Sequence, residues 1–422
     1  MNFNEAKEYM ISLESSGINL GLKRIKALLK ALGNPEEALK IIHVAGTNGK
    51  GSTSNYIYNI LLNEGYEVGL FTTPELTSYH DKFRYNNQMI TDDEYSELLT
   101  EIKRTANQHE IKPSAFEVLT ALAILFFKRK KLEFIVLEVG MGGLEDATNA
   151  IEDSIISVIT PIAMDHGDYL GDTLEKVAMA KAGIIKKNGL VVTSNRHPKV
   201  LEVIQEKINE KKAYLELIDT SNFELLDHNV FGIKFYYNND IYELSMSGLY
   251  QIENAILAME ALNLLRDIKG VEISKESIIN GLKDASWEGR FEMICDQPLM
   301  IIDGAHNLAG AIALKTSLLS IFKDKKVLGV FSMLKDKPVH EVCKELMPFF
   351  EEVIITDINN PRAMSKKDLE GIVKEYHSSV TYESLEYLKK HLMQLGKAYD
   401  AVIIFGSLYM IGEFKTIECN KK

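Results

Sequence analysis

Cysteine is scarce in this chain of 422 residues, and the three present, Cys295, Cys343 and Cys419, lie far apart with no CxxC pair. That pattern excludes a disulfide framework or a cysteine zinc site and predicts reduced thiols in a cytoplasmic protein. Basic residues are also in deficit: 48 Lys and Arg stand against 60 Asp and Glu, a formal charge of -12. A nucleic-acid surface needs a basic stripe, so no such partner is expected, although local lysines can still receive a small anionic substrate. Long hydrophobic runs are missing too. The longest, residues 118–127, is broken only by Thr120; it is about half the ~20 residues of a membrane span, so it predicts a buried helix and no membrane partner. Residues 1–30 mix Glu5, Lys7, Glu8, Glu14 and Lys23 with apolar positions and offer no signal-peptide core. Internal repeats and low-complexity linkers are absent.

What is present is 46% apolar and 26% charged, the composition of a packed globular protein. The length predicts two or three domains. Short β-branched runs at 41–45, 67–72, 134–139, 155–160 and 190–193 alternate with helical patterns at 54–63, 115–128 and 174–186. Strand, helix, strand in that order predicts right-handed βαβ units and a parallel sheet. Gly65 is a candidate C-cap for the first of these helices. Runs at 231–237 and 241–244, split by Asn238-Asn239-Asp240, predict a hairpin, a small β excursion near 213–247 at the sheet edge. A second α/β series follows at 300–303, 327–332, 353–357 and 401–406. The expected architecture is an N-terminal P-loop parallel-sheet domain over 1–292 and a smaller C-terminal Rossmann-like α/β domain over 293–422.

The strongest chemical signal is His43-Val-Ala-Gly-Thr-Asn-Gly-Lys-Gly-Ser52, between a predicted strand and a predicted helix. Small residues let backbone N–H groups close around phosphate oxygens, the helix N-terminus adds partial positive charge, and Lys50 supplies a point charge. GxxxxGK[ST] is not met strictly: Val44 replaces its first Gly, and Gly51 separates Lys50 from Ser52. Glu138 ends a predicted strand, a position that faces the ligand crevice of an open α/β sheet. Asp165-His166 follows the next strand, and a carboxylate with an imidazole there suits a hard cation. Each also has a bland reading, as a solvated strand end and a turn. Lys181 sits in an otherwise apolar helix face, either snorkelling to solvent or turned to the nucleotide. Asp303-Gly-Ala-His-Asn307 and Gly406-Ser407 each follow a strand of the second series, and Arg290 either meets a phosphate or forms a surface ion pair.

Taken together, these residues resemble a known family. Gly46-Thr-Asn-Gly-Lys-Gly-Ser52, Thr72-Thr-Pro74, Glu138-Val-Gly-Met-Gly-Gly143, Asp146-Ala-Thr-Asn149, Asp165-His166, Leu170-Gly171, Lys181-Ala-Gly-Ile184, Gln251 with Asn254, Glu288-Gly-Arg290, Asp303-Gly-Ala-His-Asn307 and Gly406-Ser-Leu-Tyr409 look like folylpolyglutamate synthases. These often double as dihydrofolate synthases and belong to the Mur ligase superfamily. The resemblance spans nearly the whole chain. It implies ATP-dependent joining of L-glutamate to a folate carboxylate through an acyl phosphate, giving ADP and phosphate, with dihydropteroate as a possible second acceptor.

Carried over by position, the resemblance implies that Asn48, Gly49, Lys50, Gly51 and Ser52 hold the phosphates. Asn254, Arg290 and Asp303 contact ATP, while Thr73, Glu138 and His166 ligate Mg²⁺. Lys181 is carried as a carbamate and acts with Lys50 and His306 in catalysis; His306 and Ser407 receive the glutamate. The pterin pocket falls on Gly21, Leu22, Lys23, Arg24, Ser114, Phe116, Glu117, Glu145, Asp146 and Ala147. The expected partners are small molecules, and the family is usually monomeric. Three departures stand out. The family's TSPHL reads Thr72-Thr-Pro-Glu-Leu76, its GGRLDATN reads Gly142-Gly-Leu-Glu-Asp-Ala-Thr-Asn149, and Tyr250 stands where a histidine often precedes Gln251. The first two put substrate preference in question, with Lys23, Lys82 and Arg84 as candidate compensating charges. The rival readings are a Mur-type ligase adding an amino acid to a cell-wall precursor and a nucleotide-dependent switch.

Overall fold

Parallel strands buried on both faces need apolar side chains on both sides, and the β-branched runs supply them. In the computed structural model, which describes all residues but 15, 16, 18, 166, 416 and 418–422, these runs build a sheet of eight strands. They are β1 (Lys40–Ala45), β2 (Val68–Phe71), β3 (Phe83–Tyr85), β4 (Gln88–Met89), β5 (Phe134–Glu138), β6 (Ile156–Ile159), β7 (Leu190–Thr193) and β8 (Tyr214–Leu217), in the spatial order β4-β3-β2-β5-β1-β6-β7-β8. From β2 to β8 the pairing is parallel. β3 and β4 add an antiparallel hairpin at one edge, turning through Asn86 and Asn87 at φ 44° and 62°, the left-handed pair that a tight hairpin requires.

The chain divides into two compact units, Met1–Ser221 with Glu253–Leu282, and Asn222–Ile252 with Lys283–Lys422. In the first, the apolar run read as a buried helix is one: Ala115–Lys130 buries every residue from 117 to 127. It is apolar all round because the sheet lies on one side and the helices Phe3–Glu14, Lys23–Ala31 and Asp92–Gln108 pack on the other. Among the described residues no helix is long and apolar enough to cross a membrane. The helix Lys50–Asn63 ends as expected, with Gly65 at φ 94° and its N–H on Leu62 O at 3.0 Å. The helix expected over 174–186 stops at Ala182. Its cap, Gly183, lies so close to Leu144 that a Cβ there would sit 2.5 Å from Leu144 Cα, a contact no local pattern announces.

In the second unit the expected hairpin forms, with Asn238 and Asn239 at φ 47° and 67°, but it does not extend the large sheet. β10 (Gly232–Tyr237) pairs with β9 (Glu224–Asn229) and with β11 (Asp240–Leu244) in a separate antiparallel sheet of three strands. β9 reads Glu-Leu-Leu-Asp-His-Asn and is mostly exposed, so it lacks the alternation that marks a strand. Residues 214–217, counted in the excursion, belong instead to β8 of the large sheet. The other sheet of this unit runs β12-β13-β17-β14-β15-β16, with β12 (Glu292–Asp296), β13 (Leu299–Asp303), β14 (Val327–Phe331), β15 (Glu352–Ile355), β16 (Val380–Tyr382) and β17 (Ala401–Phe405). Only β12 is antiparallel. Phe405 stacks on Phe350 with centroids 5.1 Å apart, beneath the helices Leu308–Phe322, Val339–Leu346 and Lys366–Tyr376.

The helix Lys275–Asp284 rides directly on the helix that carries the phosphate loop. A Cβ on Gly281 would lie 2.5 Å from Ile60 Cα. In a solvated helix Gly→Ala gains about 1 kcal/mol; here the backbones must part, which costs about 1–3 kcal/mol, so the close approach wins. Gly281→Ala is expected to lower the urea midpoint, and a raised midpoint would show that the two helices spread freely.

Candidate active site

The segment between β1 and the helix Lys50–Asn63 is forced to be small by what it touches. Gly46 has φ 149°, and a Cβ on it would fall 1.8 Å from Thr160 Oγ1; Gly49 has φ 85°, and its Cβ would meet Asn254 Oδ1 at 2.3 Å. Neighbouring atoms pin the loop. Thr160 Oγ1 donates to Asn48 O at 2.7 Å, Thr47 N to Pro161 O at 3.0 Å, and Thr47 Oγ1 to Ala163 O at 2.9 Å. Thr160 escaped the sequence reading because a threonine at the end of a strand carries no distinctive signal. The N–H groups of the helix's first turn have no intrahelical acceptors, so an oxyanion at the loop would find oriented donors and the positive end of a helix dipole. Lys50 folds back on this loop, its Nζ 3.2 Å from Thr47 O, and the side chain of Ser52 is buried.

Lys181 does not snorkel. Its side chain is buried, and Nζ donates to Gly46 O at 2.7 Å. Burial, reinforced by the positive charge of Lys50 and opposed by Asp165 and Asp146, lowers its pKa from 10.5 to about 7. Much of the amine is therefore neutral and nucleophilic at physiological pH. Glu138, the last residue of β5, is buried beside β1 and accepts from Thr73 N at 3.3 Å. Two of the three sequence-proposed metal residues are thus brought together; His166 lies outside the described residues. Among the described residues no group of three or more His, Cys, Asp or Glu converges. Glu138 offers a buried carboxylate, and Thr73 and Ser52 each carry a hydroxyl, the kinds of oxygen donor that a hard cation takes.

The pterin candidates, far apart in sequence, also meet. Gly21 N donates to Glu145 O at 3.2 Å. Arg24 Nε pairs with Glu117 Oε2 at 3.0 Å, while Ser114 and Glu117 close a capping box on their helix. Phe116 lies against Gly140, where a Cβ would be 2.4 Å from its ring. Asp146 is buried, with Oδ2 accepting from Met141 N at 2.8 Å and Oδ1 from Thr148 N at 3.0 Å. Burial raises its pKa, and the hydrogen bonds from Thr148 and Met141 hold it down. Lys23, Leu144 and Glu145 are exposed on the surface, while Ala147 is buried. Of the suggested compensating charges, Lys82 is buried in an ion pair with Glu75. The Glu75 departure is thus neutralised in place, and Lys82 is engaged rather than available.

The second unit presents its own set. Asp303, at the end of β13, is buried and accepts from Tyr250 OH at 2.7 Å, Phe291 N at 2.9 Å and Ala305 N at 2.8 Å. Burial raises its pKa; Tyr250 and Arg290 oppose the shift. The Tyr250 departure therefore has a structural use. Gly304 N donates to Gly289 O at 2.9 Å, and a Cβ on Gly304 would stand 2.6 Å from Arg290 Nη1, so Arg290 lies against the Asp303-Gly304 turn. His306 Nδ1 lies 2.7 Å from Gly304 O. Ser407 is 3% exposed, and among the described residues its hydroxyl has no hydrogen-bond partner.

Residues 44–262 match the Mur ligase middle domain and residues 289–408 the Mur ligase glutamate ligase domain. The dihydrofolate synthase/folylpolyglutamate synthase of Bacillus subtilis is 33% identical, over 98% of each chain. Escherichia coli FolC in complex with DHPP and ADP superposes with a TM-score of 0.86 at 29% identity, covering 98% of this chain and 96% of that one. The bifunctional folylpolyglutamate synthase/dihydrofolate synthase of Yersinia pestis, complexed with AMPPNP and a Mn ion, gives 0.84 at 30% identity, covering 98% and 97%.

The unmodified Lys181 amine has a sign-definite effect on stability. Its folded pKa is lowered, so the cost is full at and below pH ~7, where both states are protonated, and fades toward the unfolded value as the folded state sheds its proton first. Lys181→Met is expected to melt higher than wild type in carbonate-free buffer, with a larger gain at about pH 6 than at about pH 9. A gain that grows with pH would contradict the burial argument.

Proposed function

The chain belongs to the folylpolyglutamate synthase/dihydrofolate synthase family of the Mur ligases, and from that membership we propose an ATP-dependent ligase that joins L-glutamate to the carboxylate of a reduced folate. One structural observation carries most weight: the phosphate loop is closed on Thr160, and the buried Lys181 amine rests on the same loop. In the first step a folate carboxylate oxygen attacks the γ-phosphorus, the bond to the β,γ-bridging oxygen breaks, and ADP leaves. The glutamate amine then attacks the acyl carbon, phosphate departs, and the amine loses a proton. Such transfers require alignment and charge neutralisation more than covalent help.

Asn48, Gly49, Lys50, Gly51 and Ser52 are assigned to the phosphates, with Lys50 as the point charge. Asn254 is buried against Gly49, which supports its assignment to ATP; Arg290 and Asp303 carry the same assignment from the family resemblance. Thr73, Glu138 and His166 would hold Mg²⁺, which when bound supplies charge neutralisation at the phosphates. A neutral Lys181 amine can add CO₂, forming an N–C bond and losing a proton, and the resulting carbamate exchanges a cation for an anion at the phosphate loop. His306 and Ser407 are assigned to glutamate. The ATP-binding role is given to residues 1–292 and the glutamate-ligase role to 293–422.

Glutamate extension of a reduced folate is proposed as the principal reaction, with dihydropteroate as the second acceptor, since both present a carboxylate to the same phosphate. Similarity over the whole chain to folate ligases disfavours the cell-wall reading. The reading is tested by incubating the protein with ATP, glutamate and tetrahydrofolate or dihydropteroate, then weighing the products. ADP, phosphate and a glutamylated acceptor are expected; AMP with pyrophosphate would refute the acyl-phosphate route. Lys181→Ala is expected to be inactive and partly rescued by a small carboxylic acid. Full activity of the unrescued variant would remove Lys181 from the mechanism.

A further inference from the structure

His43 is a fully buried histidine within β1, three residues before the phosphate loop begins. Its Nε2 lies 2.9 Å from Thr148 Oγ1. The same hydroxyl is 2.6 Å from Asp146 Oδ1, to which it donates. With the Asp146 carboxylate ionised, the single hydroxyl proton of Thr148 goes to Oδ1, so Thr148 accepts from His43 and the imidazole carries its proton on Nε2. Among the described residues the buried Nδ1 has no partner, and burial, with the charge of Lys186, holds the ring's pKa well below its ordinary value, so the ring is neutral. The order is therefore determined: His43 Nε2–H donates to Thr148 Oγ1, and Thr148 O–H donates to Asp146 Oδ1. All three side chains are buried.

We propose that Thr148 and His43 are positioning residues that orient the Asp146 carboxylate toward the heterocycle of the acceptor and tie it to the strand that carries the phosphate loop. This rests on the folate-ligase reading and deepens it. With Thr148 supplying two donors to Oδ1, Met141 one to Oδ2 and Gly140 a further backbone hydrogen bond, rotation of the carboxylate is blocked. The distance between heterocycle and γ-phosphate is then set by a rigid buried path, as an in-line attack requires.

The test is a separation of Michaelis constants. Thr148→Val is expected to raise KM for the pteroyl acceptor about tenfold, leaving KM for ATP within about twofold, and Thr148→Ser to restore it. His43→Phe is expected to act in the same direction, and the double variant to be less than additive. Equal rises for ATP and acceptor, or no rise at all, overturn the proposal. Absence of folate-dependent ADP formation in the wild type overturns the folate reading itself, whereas a wild type that turns over beside an unaffected Thr148→Val overturns only the positioning. Should Thr148→Val fail to fold, Thr148→Ala carries the same expectation, and failure of Thr148→Ala and His43→Phe to fold as well makes the chain of bonds purely structural and overturns it.

Discussion

A loop that offers N–H groups to phosphate has few left to hold itself in place, so most of its anchoring falls to its carbonyls and side chains. Here Thr160 takes the carbonyl of Asn48, Ala163 the hydroxyl of Thr47, and Lys181 the carbonyl of Gly46. Much of the first unit follows from that need. β6 has to lie beside β1 to bring Thr160 within reach, and the helix Leu174–Ala182 has to end near Leu144 so that Lys181 reaches the loop from the other side.

The same packing explains the charges. Lys181, Glu138, Asp146 and Asp303 are all buried, and burial is the first cause of the shifts at Lys181, Asp146 and Asp303. A cation loses protons more readily there and a carboxylate holds them more tightly. Uncompensated, such groups would destabilise the fold. The carboxylates Asp146 and Asp303 are met by backbone N–H groups and hydroxyls, whereas Lys181 has one carbonyl, with Asp165 and Asp146 only partly offsetting burial and the charge of Lys50. The amine that results is readily deprotonated, and that makes it available for chemistry.

Legibility followed the range of each interaction. The strands at 41–45 and 190–193 could be read because apolar runs advertise double-sided burial, and the Asn238-Asn239 turn because left-handed residues are few in kind. β9 could not, since its exposed polar residues gain pairing partners only from β10. The early end of the helix before Gly183 was equally hidden, being set by the backbone of Leu144. In the site, Gly46 to Ser52 is contiguous and was legible. Thr160 was not, and Lys82, read as an available charge, turned out to be held by Glu75.

By itself the sequence determined the parallel α/β character of both units and the phosphate loop, and its resemblance to a family supplied the folate-ligase expectation. Each rests on residues adjacent in the chain or on a repeating period, which physics reads locally. Tertiary structure alone decided that Lys181 would rest on Gly46, 135 positions away, that Tyr250 would bind Asp303, and that His43 would reach Asp146 through Thr148. Those pairings depend on strand order and burial, and a buried polar atom takes whichever partner the fold brings within about 3 Å, which no local pattern encodes.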